Sequence, residues 1–387
     1  MSVNSYDRPA GENQFGILKT SSVYGGIFKP SENKEVIESE ISRAKLNPKK
    51  NSIIISRMNT PDLVGEIAYV NRDYPYLFIP DRLWLTKTNS DINVKWLSYL
   101  LITPKQRSII SSIGSGTSGS MKNISKPNFL GLKVICPFLD EQQKIADFIT
   151  SLDQRIETQI KIIEQLETLM SGLRQKIFSQ QLRFKDDEEN DFPEWEEKKL
   201  GEIGETYNGL TGKTKKNFGR GENFIQYKQI FDSSMINIIK CGLVDVSESE
   251  NQNKVKFGDV FFTVSSETPN EIGMSSVLLN DVQNVYLNSF CFGYRPFSLE
   301  MLNPYFARYL FRSNTFRDKI IKLAQGSTRF NLSKVELMKL KILLPTHSEQ
   351  IKIANFLSAI GKKIEAENEI LTQYQSQKKY FLQNLFI

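Results

Sequence analysis

Apolar side chains between Ile145 and Ile177 recur at threes and fours: Ile145, Ile149, Leu152, Ile156, Ile160, Ile163, Leu166, Met170, Leu173 and Ile177. That spacing returns to one helical face at every turn and makes the seam of a coiled coil. A second seam runs through Ile353, Leu357, Ile360, Ile364, Asn368, Leu371, Tyr374, Lys378, Phe381 and Leu385. Asn368 and Lys378 stand where the first seam is apolar. Polar seam residues cost stability and fix register, which predicts one specified partner helix. Helices of about forty residues at ~1.5 Å rise make rods of roughly 60 Å. A seam that long exceeds what one small domain covers, so the pattern predicts an antiparallel pair formed within the chain.

The two seams belong to a duplication. At an offset of 208 residues and without a gap, Asn123, Ser125, Lys126, Lys133, Pro137, Glu141, Gln142, Ile145, Ala146 and Phe178 match Asn331, Ser333, Lys334, Lys341, Pro345, Glu349, Gln350, Ile353, Ala354 and Phe386. Upstream, Asn93, Trp96, Tyr99 and Leu100 lie against Asn303, Phe306, Tyr309 and Leu310, and the apolar run 53–55 lies against 260–262. A fixed internal period decides architecture before any local feature does. The expected fold class is α+β: two mixed α/β globular regions separated by two long helices that form an antiparallel coiled coil, with a pseudo-two-fold internal repeat. The expected boundaries are 1–136 for the first globular region, 137–184 for the first (central) spacer helix, 185–344 for a linker and the second globular region, and 345–387 for the second spacer helix. The acidic run at 185–191, followed by Phe192 and Pro193, predicts a solvated linker. The glycine- and serine-rich segment 114–119 predicts a flexible joint, since no strand-then-helix context with a following lysine makes it a phosphate loop.

Composition narrows the partners only slightly. With 387 residues, 40% hydrophobic and 24% charged, the chain matches ordinary folded proteins. A net charge of +6 permits a polyanionic partner without requiring one. The cysteines Cys136, Cys241 and Cys291 are odd in number and sit in apolar contexts, where a thiol packs as a small hydrophobe; a reducing cytoplasm is expected. No run approaches the eighteen apolar residues of a membrane span.

Candidate chemistry is mostly eliminated. His347 is the sole histidine, so neither a histidine-based triad nor a multi-histidine metal site can be assembled, and no metal is expected. The stretch from Gly209 to Thr214 ends like a phosphate-binding loop, but Tyr207 holds the position that needs the first glycine. Asn303, Pro304, Tyr305 and Phe306 resemble the base-gripping loop of amino-methyltransferases with one proline missing. An N-cap followed by proline at the first helical position explains them better, and Asn93 stands at the matching place. The chain reads as non-catalytic, with no cofactor of its own. For reading DNA, arginine and lysine suit phosphates and guanine, asparagine and glutamine suit adenine, and hydroxyl side chains suit either backbone or base. The candidates are Lys19, Tyr24, Arg57, Asn59, Thr60, Arg72, Arg82 and Lys122 in the first region, and Lys213, Lys215, Lys216, Arg220, Lys228, Ser265, Ser266 and Arg329 in the second. Only the group from Lys213 to Arg220 is dense enough to be individually suggestive.

With these parts assembled, the chain resembles the specificity subunits of type I restriction-modification systems over nearly its whole length. The residues that carry the resemblance are the Pro-x-x-x-Glu-Gln-x-x-Ile-Ala segments from Pro137 and Pro345, the long helix after each, and the run from Phe192 through Trp195 to Gly201. The resemblance implies two target-recognition domains, each reading half of a split double-stranded DNA target, held apart by the helical pair. It implies two methyltransferase subunits that carry S-adenosylmethionine, and restriction subunits that use ATP and Mg. The half-sites would lie on the order of one helical turn apart, ~34 Å. Alternatives in view are a coiled-coil scaffold that joins two proteins without touching DNA, and a specificity subunit for a fused nuclease-methyltransferase. One departure stands out: the second region has about 25 residues between Trp195 and Gly221, Glu222 and Asn223, whereas the first reaches its similar Gly11, Glu12 and Asn13 only ten residues from its start. The first region lacks the leading segment from tryptophan to leucine-glycine. Either the chain is a shortened product or another segment completes that region's sheet, since an open edge is a pairing hazard.

Overall fold

The computed structural model describes residues 3–116, 121–247, 249–326 and 328–386. The chain divides into two compact units, 1–161 with 368–387 and 162–367. The long helices, Leu139–Phe178 of 40 residues and His347–Asn384 of 38, each begin in one unit and end in the other.

Within the first unit, Ser52–Ser56 is the central strand of a three-stranded sheet, antiparallel to both Ile67–Val70 and Leu83–Leu85. All five of its residues are buried, which is why an isoleucine run without alternation forms a strand here. A second sheet sets Gly16–Leu18 antiparallel to Asn33–Glu35 and parallel to Leu77–Phe78. The second unit repeats both patterns. Val260–Thr263 lies between Ser275–Val277 and Cys291–Pro296, and Phe218–Ile225 runs antiparallel to Gly242–Val244 and parallel to Tyr286–Leu287.

The repeated Glu-Gln segment ties each sheet to its long helix. Gln142 is buried; its Oε1 accepts from the Asn93 amide at 2.8 Å and its Nε2 donates to the carbonyls of Pro137 and Asp91 at 2.9 and 3.3 Å. Gln350 repeats this, accepting from the Asn303 amide at 2.9 Å and donating to Pro345 and Met301 at 3.0 and 3.1 Å. Each clamp holds the start of a short helix, Val94–Leu101 or Pro304–Leu310, whose N-cap is the expected asparagine: the Asn93 side chain accepts from Trp96, and that of Asn303 from Tyr305 and Phe306. One turn further on, the Tyr99 hydroxyl meets Thr150 Oγ1 and the Tyr309 hydroxyl meets Ser358 Oγ, both at 3.1 Å.

Within the first unit the long helices run antiparallel: Phe148 packs edge-on against Phe381 at 4.8 Å, and Asp153 pairs with Lys378 at 2.5 Å. The polar seam residue Lys378 is thereby explained. Its ammonium meets Asp153, which also accepts from Tyr99 at 2.6 Å. Burial first, and then the neighbouring Asp153 carboxylate, push the Tyr99 hydroxyl pKa upward, so Tyr99 remains the donor.

The units differ where the leading segment stands. In the second, Glu196–Lys199 pairs antiparallel with Lys341–Leu344, and Gly204–Asn208 adds a fourth strand to the edge of Cys291–Pro296. Trp195 Nε1 donates to the fully buried Glu349 at 3.1 Å, and Arg183 forms a fork on the same carboxylate at 3.0 and 3.2 Å. The acidic run at 185–191 is solvated and closes on itself: Asp186 accepts from the amides of Glu188 and Asn190. In the first unit, Leu83–Leu85 has only Ser52–Ser56 beside it, and 133–136 pairs with no strand among the described residues. Consequently the expectation for the cysteines holds at buried Cys291 and half-buried Cys241 but is corrected at Cys136, which is exposed. Its counterpart Leu344 is buried beneath the pairing that the first unit lacks.

Replacing either clamp, Gln142→Ala or Gln350→Ala, is expected to cost its unit about 1–3 kcal/mol, because buried amide and carbonyl partners lose their bonds. The glutamates beside them should behave unequally. Glu349→Gln breaks a buried ion pair and should cost about 3 kcal/mol, whereas Glu141→Gln, at an exposed position, should stay within about 0.5 kcal/mol. Denaturant unfolding followed by hydrogen exchange in each unit measures all four.

Candidate nucleic-acid interface

Each central strand continues directly into a short two-stranded ribbon. In the first unit Met58–Asn59 pairs with Lys122–Asn123, Asn59 opposite Lys122. In the second, Ser265–Ser266 pairs with Phe330–Asn331, Ser265 opposite Asn331. Both ribbons are closed in the same way: Asn123 exchanges backbone hydrogen bonds with Ser115 at 2.8 and 3.0 Å, and Asn331 with Gln325 at 2.8 and 3.1 Å. A capped helix follows each, Lys126–Leu130 after Ser125 and Lys334–Lys339 after Ser333. Part of the expected joint at 114–119, positions 117–119, lies outside the described residues.

The first ribbon gathers five of the eight candidates in its unit. The Arg57 guanidinium donates to Asn123 Oδ1 at 3.3 Å, its backbone amide bonds the Arg82 carbonyl at 3.0 Å, and its carbonyl accepts from Ile124 at 2.8 Å. Asn59 Oδ1 accepts from the Thr60 amide at 2.9 Å, which turns the chain at the ribbon's end and leaves Thr60 exposed. Arg57, Asn59, Thr60, Arg82 and Lys122 thus share one structure. The other three are held elsewhere: Lys19 pairs with Glu32 at 3.4 Å, Tyr24 stands exposed in the hairpin with Ile27–Phe28, and Arg72 covers the Tyr74 ring at 4.9 Å.

In the second unit the ribbon holds Ser265, Ser266 and the adjoining Arg329, which is exposed. The Tyr227 hydroxyl donates to the Ser265 carbonyl at 2.8 Å, which brings the short helix Tyr227–Asp232 and its exposed Lys228 to the same place. Ser266 is buried, and its hydroxyl accepts from the Thr268 amide at 3.2 Å.

The group from Lys213 to Arg220 separates into two kinds of lysine. Lys213 Nζ donates to the Asp245 carbonyl and to Glu250 Oε1, both at 2.6 Å, and its side chain is only 5% exposed. That commitment also removes Lys213 from any phosphate-loop role. Arg220 pairs with Asp245 at 3.0 Å. Lys215 and Lys216, on the short turn Lys215–Asn217, are exposed and form no ion pair among the described residues.

Two pairs escaped the candidate set: the ribbon residues Asn123 and Asn331, and the first helical residues Lys126 and Lys334. Lys334 donates to Asn208 and lies over the Phe292 ring at 5.7 Å; burial lowers its pKa. The signal was present, because both pairs match at the 208-residue offset. Among the described residues, no group of three or more histidine, cysteine or acidic side chains is arranged to hold a metal ion, and no helix is long and apolar enough to cross a membrane.

Two alike units, each carrying a polar ribbon on a tethered sheet, define a duplicated recognition protein. The chain belongs to the type I restriction modification DNA specificity domain family, whose model matches residues 12–168 and again 193–374. It is accordingly the DNA specificity subunit of a type I restriction-modification system and is itself non-catalytic. The chain is 26% identical over 289 residues to the type I restriction enzyme MjaVIII specificity subunit of Methanocaldococcus jannaschii, covering 73% of this chain and 67% of that protein. It is 26% identical over 342 residues to the putative MjaX specificity subunit of the same organism, covering 84% and 75%. Among solved structures, the S subunit from M. genitalium superposes with a TM-score of 0.55 at 16% identity, covering 100% of this chain and 92% of that one. A chain solved in work on complex assembly and conformational transition of the type I R-M system gives 0.58 at 18%, covering 99% and 94%. At such identities these likenesses concern the fold.

The Glu250 carboxyl offers a direct test of the Lys213 site. The Lys213 ammonium, then the Ser247 amide and the Gln252 side chain, hold its pKa down at about 2 against an ordinary 4.5. A depressed carboxylate contributes stability above its unfolded pKa and loses it as pH falls through the folded one. Hydrogen-exchange protection at 245–247 and 249–252, taken relative to the intrinsic rate at each pH, should therefore be full at neutral pH and fall between pH 4.5 and about 2. In Lys213→Met the carboxyl carbon resonance of Glu250 should titrate closer to 4.5; an unchanged midpoint would remove the lysine as the cause.

Proposed function

We propose that each unit reads one half of a bipartite double-stranded DNA target, and that the ribbons and the loops beside them are the reading surfaces. The observation that carries this is the pair of ribbons: one backbone ladder, built twice on matching strands, presents Asn59 and Lys122 beside Arg57 in one unit and Ser265 beside Arg329 in the other. Equal frames with unequal side chains suit two different half-sites. Arg57, Arg82, Lys122, Lys228 and Arg329 are assigned to phosphates or guanine edges, Asn59 to adenine, and Thr60 and Ser265 to backbone or base. Lys215 and Lys216 add phosphate contacts, and Lys126 joins the candidates. Lys19, Tyr24, Arg72, Lys213 and Arg220 contribute less, because they are committed or stand apart.

The chain would act by delivering partners to that target. Two methyltransferase subunits bound to it would supply S-adenosylmethionine, and restriction subunits would supply ATP and Mg chemistry, in the cytoplasm. The long helices, with seams at Ile145, Leu152, Ile156, Ile163, Leu166, Leu173, Ile353, Ile360, Ile364, Leu371, Phe381 and Leu385, are assigned the spacer role between half-sites.

Exchanging residues 1–125 with those of a related subunit should alter one half of the methylated sequence in vivo and leave the other intact; methylation sequencing reads this, and alteration of both halves would refute separate readers. For the assembled complex, Lys215→Ala with Lys216→Ala should weaken binding to all sequences alike. It should also flatten the log-log salt dependence by about 0.9 for each phosphate that is no longer neutralised.

A further inference from the structure

The place beside each ribbon that carries guanidinium groups in the first unit carries apolar side chains in the second. In the first, the Arg57 amide donates to the Arg82 carbonyl at 3.0 Å, and the Arg57 carbonyl accepts from Ile124 at 2.8 Å. In the second, the Val264 amide donates to the Phe290 carbonyl at 3.1 Å, and the Val264 carbonyl accepts from Leu332 at 2.8 Å. The two sets of bonds are the same, so Val264 stands where Arg57 stands, and Phe290 where Arg82 stands. Arg57 and Val264 are each the residue through which the central strand passes into its ribbon.

Phe290 is 65% exposed. Singly exposed apolar side chains are ordinary on protein surfaces; what sets this one apart is its place and the anchoring of its backbone on both sides. The Phe290 amide donates to Asn288 Oδ1 at 2.8 Å, and the Cys291 amide to the Asn288 carbonyl at 3.1 Å. The Asn288 amide is in turn bonded to the Ile225 carbonyl at 3.1 Å, and Cys291 enters the sheet opposite Thr263 and is buried. The ring therefore stands out from a fixed base beside Val264, the residue before Ser265. Among the described residues it packs on no other ring and under no cation.

The chemistry of the two places differs in a way that DNA distinguishes. In the major groove a guanidinium matches the two acceptors of guanine, whereas the complement of an apolar side chain there is the methyl group of thymine. Arg82 is exposed, forms no ion pair among the described residues and is free for the first contact. Phe290 has no side-chain donor or acceptor and is suited to the second alone. We propose, on the reading of the ribbons as DNA-contacting surfaces, that Phe290 is a specificity-determining residue of the second unit, its ring taking the methyl group of one thymine in that unit's half-site.

Methylation sequencing supplies the target, and the half left intact when residues 1–125 are exchanged is that of the second unit. The assembled complex is then titrated with the target duplex and with duplexes in which each thymine of that half is replaced in turn by uracil, which keeps the pairing and removes only the methyl group. One such uracil is expected to weaken binding about fourfold, the worth of burying one such carbon group. Phe290→Ala should weaken binding to the thymine duplex at least as much, and that same uracil should then cost nothing further. The ring is exposed, so circular dichroism of the variant should be unchanged. Losses from Phe290→Ala and from every uracil that simply multiply would overturn the proposal, as would a Phe290→Ala complex that binds the target unchanged. Brightening of a fluorescent base analogue next to that thymine on binding would make the ring a wedge between bases and also overturn it. Ser265→Ala and Arg329→Ala separate this inference from the reading beneath it. If they weaken binding and Phe290→Ala does not, the ribbon is a reading surface and the role of Phe290 falls alone; if none of the three has an effect, both fall.

Discussion

A long amphipathic helix can slide or turn beneath a small sheet with little change in apolar packing, so something directional must choose one position. In both units that choice falls to one buried glutamine. Its side-chain amide is a two-sided device, an acceptor for the backbone amide of a short helix's N-cap residue and a donor to two carbonyls. Any displacement of the long helix leaves those buried groups unpaired, at about 1–3 kcal/mol for each. From the clamp the order of the structure follows within each unit. The short helix is set; Val94 and Leu101 then pack with Ile53 and Ile55 of the central strand, and that strand runs straight into the ribbon. The long helix and the ribbon of each unit are thus joined by one path of buried hydrogen bonds and apolar packing.

The residue before the glutamine shows how little a motif fixes alone. Glu141 and Glu349 match in sequence and in helical position, yet one is exposed and the other is wholly buried and bonded to Arg183 and Trp195. The difference comes from the segment that covers them. Where it is present, a buried carboxylate is paired and hydrogen-bonded on both oxygens, the condition under which burying charge is tolerable. Among the described residues of the first unit no such segment lies over Glu141, and that side chain is exposed.

What was legible in the sequence was whatever has a period. The two seams and the 208-residue offset carried the long helices, the duplication, the asparagine caps at Asn93 and Asn303 and the unequal leading segments. The ribbons were not legible, because strands of two residues have no alternation to detect and are defined only by what pairs with them. Nor could the sequence tell Lys213 from Lys215 and Lys216. The partner that takes Lys213 out of the surface, Glu250, lies 37 residues away, beyond two strands and a short helix. Asn123, Lys126, Asn331 and Lys334 are visible as matched positions, but a match marks the repeat without marking the surface that the repeat builds.

Those matched positions also explain how two copies of one frame can present different chemistry. What the copies share at the ribbon is backbone pairing and caps: Asn123 and Asn331 in their ladders, Ser125 and Ser333 starting the helices behind them. What they do not share is the side chains projecting from the ladder. Lys122 and Asn59 stand opposite each other in one unit, Phe330 and Ser266 in the other. A ladder held by main-chain bonds is indifferent to those identities, and the glutamine clamp that positions it lies at the far end of the central strand's packing. Substitution at the ribbon therefore leaves the tether intact, which lets a duplicated chain carry two unlike ribbons while keeping one way of holding them.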